Sequence, residues 1–195
     1  MTIGRPRKVE TDDALKAAML LFWENGYEAT SLHDLLQATN LCKSRLYQLF
    51  GSKEGLFLKS LELYRIELRQ VLFQQLASSS SGKLFIRNLF SEIISEASSN
   101  QAVKGCFLVN TANEFSQRTA PVTELVSKGT ECLKEILFEA IERDQKSGMI
   151  SSRISADSLA NYLLNSICGL RTLVKAGTDH RTLQAVTETT LTLLD

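Results

Sequence analysis

The chain has 195 residues with 22 basic and 22 acidic side chains, so any polyanion-binding surface must come from local charge rather than net charge. Hydrophobic residues make up 44%, enough for a core, and only two prolines and ten glycines favour an all-α chain over a sheet protein. No apolar run approaches the roughly 20 residues of a spanning helix, and no charged-then-apolar leader opens the chain, so a cytoplasmic protein with no membrane partner is expected.

The first ten residues include Gly4-Arg5-Pro6-Arg7-Lys8, a basic arm whose proline and glycine predict an extended segment. Arg5, Arg7 and Lys8 suit a minor groove, where narrow width strengthens the negative potential. In the free protein the same arm is equally read as a solvated terminus that DNA would order. Leu15, Ala18, Met19 and Phe22 recur at helical spacing, which predicts a first helix from about Thr11 to Asn25, stopped by Gly26. Ser31 and Asp34 form a capping-box-like pair that starts a second helix carrying Leu32, Leu35 and Leu36.

Asn40 can take the left-handed conformation that a tight helix corner needs, and a third helix follows from about Cys42 to Leu49. This is a helix-turn-helix pattern. Between Thr39 and Lys53 stand three basic residues, Lys43, Arg45 and Lys53, and no acidic one, as a DNA-facing surface requires. Leu46 and Phe50 turn to the core, Lys43, Ser44, Tyr47 and Gln48 turn away from it, and Arg45 stands near the boundary.

Ser52 caps a long fourth helix with Leu56, Phe57, Leu61, Tyr64, Leu68, Val71 and Leu72, running to about Leu76. Ser78–Gly82 reads as a flexible loop. Leu84, Phe85, Leu89, Phe90, Ile93, Ile94 and Ala97 define a fifth helix, and a sixth begins near Gly105-Cys106 and ends before Pro121. The seventh runs from Val122 to a stop at Gly148. The eighth, capped by Ser155, is apolar around most of its circumference and must be covered on more than one face. With a final helix from about His180 to Leu194 it is the candidate subunit interface, two helices pairing with two from a second copy. The bland alternative is core of a single subunit.

The four cysteines, Cys42, Cys106, Cys132 and Cys168, lack zinc-ligand spacings and have two histidines to help them, so free thiols, no metal and no cofactor are expected. No Ser-His-Asp set or phosphate-cradling glycine loop is present, so an enzyme is not expected. His33 and His180 read as surface or capping residues.

Thr30-Ser31-Leu32-x-Asp34-Leu35 and Asn40-Leu41-Cys42-Lys43-Ser44-Arg45-Leu46-Tyr47-x-x-Phe50-x-Ser52-Lys53-Glu54-x-Leu56 resemble the signature of the TetR family of transcriptional regulators. The resemblance implies a homodimer of nine-helix subunits. Residues 1–51 would be the DNA-binding domain, and 52–195 an effector-binding and dimerisation domain whose last two helices pair. It places Thr30, Tyr47 and Lys53 on phosphates, and Lys43, Ser44, Arg45 and Gln48 towards bases of an inverted-repeat operator. Three positions depart from the pattern: Asn40 replaces a glycine, Leu49 an aromatic or histidine, and Cys42 a serine.

Gly105-Cys106-Phe107-Leu108-Val109-Asn110, followed by Glu114, resembles a segment of a TetR subgroup, some of whose members respond to electrophiles or oxidants. A cysteine in the first turn of a helix feels the positive end of its dipole, and that resemblance suggests Lys175 as a thiolate partner of Cys106. Cys132 and Cys168 read as core, and Cys42 as a cap-region residue. Three readings stand: a repressor released through Cys106; a regulator of a non-covalent apolar or aromatic ligand held by Tyr64, Phe90, Phe107, Asn110 and Phe115; and a helical ligand-binding protein that does not bind DNA.

Overall fold

The computed structural model describes residues 7–97, 104–114 and 120–195. Among them lie nine α-helices in chain order: α1 (Arg7–Asn25), α2 (Leu32–Thr39), α3 (Lys43–Phe50), α4 (Lys53–Ser78), α5 (Gly82–Ala97), α6 (Phe107–Glu114), α7 (Ala120–Lys146), α8 (Ala156–Lys175) and α9 (His180–Leu191). A 3-10 turn, Thr192–Leu194, closes the chain. No helix of the described residues is long and apolar enough to cross a membrane.

The caps follow from the sequence. Asp34 N–H donates to Ser31 Oγ at 3.2 Å, and Ser31 N–H donates back to the Asp34 carboxylate at 2.9 Å. Asn40 takes φ 54° at the corner between α2 and α3. Ser52, Ser155 and Asp179 accept from Gly55, Ser158 and Thr182 at the starts of α4, α8 and α9. Each such cap stabilises its helix by about 1 kcal/mol. The hydrogen bonds from Ser31 and Thr182 hold Asp34 and Asp179 below the ordinary carboxylate range. A depressed folded-state pKa gives stability that is complete above the unfolded value, about 4, and lost as pH falls through the folded one. Melting temperature should therefore decline shallowly below about pH 4, and the Asp34→Asn, Asp179→Asn double variant should flatten that decline.

Two apolar clusters organise the packing. The first joins Ala18, Phe22, Leu35, Leu46 and Phe50 to Leu56, Phe57, Leu61 and Tyr64 of α4, Phe107 and Leu108 of α6 and Val122 of α7. The second joins Leu72 and Leu76 of α4 to α5, α7, α8 and α9. Leu68 packs against both. Each fully buried Phe or Leu contributes about 1.5–3 kcal/mol.

Several expectations are corrected. Arg7 and Lys8 are helical rather than extended. Arg5 lies outside the described residues. Val71 and Leu84 are exposed, each one helical step off the buried stripe marked by Leu72 and Phe85. The serine-rich loop is shorter than expected and is tied down at its far end. α4 runs through Ser78, α5 starts at Gly82, and the buried Asp144 carboxylate accepts the N–H groups of Gly82 at 2.9 Å and Lys83 at 2.8 Å. α7 begins at Ala120 and takes Pro121 into its first turn.

Candidate nucleic-acid interface and sensing cavity

The third helix owes its orientation to Leu46, fully buried, and Phe50, 6% exposed, which anchor one side and leave Lys43, Ser44, Tyr47 and Gln48 in solvent. Arg45 is half-buried at the boundary, and its Nη1 donates to Gln48 Oε1 at 3.0 Å. That bond ties down one guanidinium nitrogen and aims the fork along the exposed face. Lys43 Nζ stands 6.0 Å from the Tyr47 ring centroid. Cys42, at the cap of α3, is exposed, its sulfur shares a 3.3 Å hydrogen bond with Ser44 Oγ, and that bond and the neighbouring backbone N–H groups push its thiol below the ordinary range. An exposed thiolate-prone cysteine on this face was not expected from the sequence.

Thr30 corrects another expectation. It is fully buried, and its hydroxyl donates to the Gly26 carbonyl at 2.6 Å, so the side chain braces the turn after α1 and offers nothing to a phosphate. Lys53, the first residue of α4, sits with Nζ 4.3 Å above the Tyr27 ring. Lys59, which sequence reading passed over, donates to the Leu49 carbonyl at 3.2 Å and adds positive charge beside the end of α3.

The second constellation lies where α4, α6, α7 and α8 meet. Cys106 stands immediately ahead of α6, one position before the expected first turn, its carbonyl accepting the Asn110 N–H at 2.8 Å. The Tyr64 hydroxyl donates to its sulfur at 3.5 Å. Burial, then the neighbouring Cys106, push the Tyr64 phenol well above the ordinary tyrosine range. Cys106 and Tyr64 line a cavity of about 40 Å³ together with Cys168, Arg171, Leu89 and Thr130.

Here the cation differs from expectation. Arg171 lines both the cavity and an outer cleft of about 550 Å³, whereas Lys175, one turn later on α8, lines the cleft alone, with Phe107 and Asn110. Burial opposes the Arg171 charge, but Cys106, Glu96 and Tyr64 outweigh it and lift its pKa. Its Nη1 reaches both Glu96 oxygens, at 3.0 and 2.9 Å. Cys168 was expected in the core but stands on the cavity wall, its thiol raised by burial and then by Cys106. Cys132 is buried as expected. Phe90 is wholly buried in the second apolar cluster, and Leu89, one residue away around α5, faces the cavity instead. Phe115 lies outside the described residues. A half-buried arginine one turn short of a helix end carries no sequence signature.

Residues 84–190 match the family described as tetracyclin repressor-like, C-terminal domain, and residues 14–59 match bacterial regulatory proteins, tetR family. The HTH-type transcriptional repressor ComR of Escherichia coli (strain K12) is 30% identical over 191 residues, covering 97% of this chain and 91% of that protein. The HTH-type transcriptional regulator YezE of Bacillus subtilis (strain 168) is 27% identical over 194 residues, covering 99% of this chain and 100% of that protein. A solved structure of the TetR family transcriptional regulator CifR, a cysteine mutant complexed with 26-bp operator DNA, superposes with a TM-score of 0.82 at 28% identity, covering 98% of this chain and 100% of that one. An N-terminal helix-turn-helix with an exposed basic face, joined to a helical body and matched over both parts, leads to one conclusion: the chain belongs to the TetR family of DNA-binding transcriptional regulators.

Proposed function

We propose that the protein is a cytoplasmic repressor that binds an inverted-repeat operator as a homodimer and lets go when Cys106 is modified. Residues 1–51 form the reading head, with Lys43, Ser44, Arg45 and Gln48 towards bases and Tyr47 and Lys53 on phosphates; Arg5, with Arg7 and Lys8 at the start of α1, adds basic charge to the same head. Residues 52–195 form the sensing and pairing body. The outer faces of α8 and α9 support the pairing, because Tyr162, Gly169 and Ala185 are exposed there. Two reading heads set about one DNA turn apart, roughly 34–36 Å, enter successive major grooves.

The observation that carries the effector reading is the cavity volume of about 40 Å³ beside Cys106. A cavity of ~150 Å³ is what holds benzene, so an aromatic ligand does not fit without large expansion, whereas a thiol already lines the wall. Adding even a few atoms to the sulfur overpacks the site and forces α6 or α8 to move. A reactive alkene supplies such atoms: the sulfur bonds to one alkene carbon, and the π pair becomes a C–H bond on the other after proton uptake. The non-covalent alternative draws on the outer cleft, whose 550 Å³ and lining by Phe107, Asn110 and Lys175 would suit a small ligand. Thermal shift with reversible against reactive compounds separates the two.

Selection of bound DNA from a random pool, with and without N-ethylmaleimide, tests the reading. Because Cys42 is exposed on the DNA face, the work belongs in a Cys42→Ser background. That protein should enrich an inverted repeat and lose it on treatment, with affinity falling on the order of 5- to 150-fold. The Cys106→Ser derivative should enrich the same repeat and keep it. Equal release from both would show the thiol to be incidental.

A further inference from the structure

We propose that Glu114 is a positioning residue for operator binding: through Tyr27 it sets the place from which Lys53 grips a phosphate. The inference rests on the operator-binding reading above and adds a residue to it.

Glu114 ends α6, and its carboxylate crosses to the turn between α1 and α2. Oε2 accepts the Tyr27 N–H at 3.1 Å and Oε1 accepts the Glu28 N–H at 2.8 Å. One carboxylate thus fixes two successive peptide groups of a turn that belongs to the reading head. Gly26 makes room for it: φ is +82°, and a Cβ built there would stand 2.8 Å from Glu114 Oε2. Any side chain at that position would push the carboxylate away.

What the fixed turn holds is the Tyr27 ring. It packs edge-on against Phe57 with centroids 5.0 Å apart, stacks against Phe22 at 6.1 Å, and seats Lys53 Nζ at 4.3 Å. A lysine held over an aromatic face loses rotamer freedom, so a phosphate that meets it finds the ammonium already placed. At its other end α6 begins beside Cys106, and the Trp23 indole N–H donates to the Gly105 carbonyl at 3.1 Å. α6 has eight residues, about 12 Å, and spans directly from the Cys106 end to Glu114. A shift at Cys106 therefore reaches Glu114, then Tyr27, then Lys53.

The test is operator affinity of the full-length, unmodified dimer as a function of salt. Glu114→Ala should weaken binding on the order of tenfold and lower the slope of log affinity against log salt by about one per subunit, as if the Lys53 phosphate contact were gone. In a Lys53→Ala background the same substitution should have almost no further effect. Circular dichroism and melting temperature establish that each variant is folded. If Glu114→Ala does not fold, Glu114→Gln, which keeps one acceptor oxygen, should show a smaller loss with the same dependence on Lys53. Wild-type affinity and slope in the folded Glu114 variant would overturn the proposal, as would a loss that persists undiminished without Lys53. If the wild-type protein itself showed no sequence-specific binding, the operator reading would fail instead.

Discussion

Arg45→Ala should weaken operator binding by about 1–3 kcal/mol and relax preference at a single base position, because an arginine fork pairs both acceptors of a guanine in the major groove. The geometry fits a reading role. Arg45 stands on the exposed side of α3, and Gln48 holds Nη1 at 3.0 Å while no described residue accepts from Nη2 or Nε. Gln48→Ala should cost less, since it removes the guide and one base-facing amide but leaves the Arg45 fork in place. Lys53→Ala behaves differently: it should weaken binding to every sequence alike and flatten the salt dependence. Fluorescence anisotropy over operators substituted one base pair at a time distinguishes them. Equal, sequence-independent losses from Arg45→Ala and Lys53→Ala would sink the assignment of Arg45 to a base.

Asp144→Ala should be the most destabilising single change considered, by about 4 kcal/mol, because each hydrogen bond to a charged acceptor contributes about 1.5–3 kcal/mol and its loss leaves the buried Gly82 N–H without a partner. Water cannot readily replace the carboxylate. A Cβ on Gly82 would overlap the Ala140 carbonyl, so α5 and α7 meet there with no gap. At roughly 2–4 °C per kcal/mol for a chain of this size, the melting temperature should drop by about 10 °C. Asp144→Asn keeps one acceptor and should fall in between. A drop of under about 2 °C for the alanine variant would mean that the α5 N-terminus finds other partners.

The helices and the reading head were legible because their signals are local. Ser31, Asp34, Ser52 and Ser155 cap the helices they were expected to cap, and the spacing of Leu46 and Phe50 already oriented α3. What escaped was whatever depends on distant residues. The serine-rich stretch looked flexible because the carboxylate that orders it, Asp144, lies more than 60 positions away. Thr30 looked available to phosphate because burial by α1, α2 and their neighbours cannot be read from a hydroxyl. Lys175 was one helical turn from the residue that lines the cavity, and Phe90 one residue from Leu89. Helical phase is hard to read in segments apolar on several sides, where periodicity loses its power to choose a face. Glu114 was noticed only as part of a local motif; its two bonds to the turn after α1 are tertiary and have no sequence signature.

The first apolar cluster has a bearing on evolution and on engineering. Phe22, Leu35 and Leu46 are sealed by Leu56, Phe57 and Leu61 from α4 and by Phe107 and Leu108 from α6. A graft cut at Gly51 would transplant the base-reading residues and leave half of their packing behind. Chimaeras that exchange DNA specificity between relatives therefore need the first three turns of α4 and the inner face of α6 to travel with the head, or to be matched to it. By the same reasoning, drift in operator preference is free on the solvent side of α3, while its buried side is bound to co-vary with a segment more than fifty residues downstream.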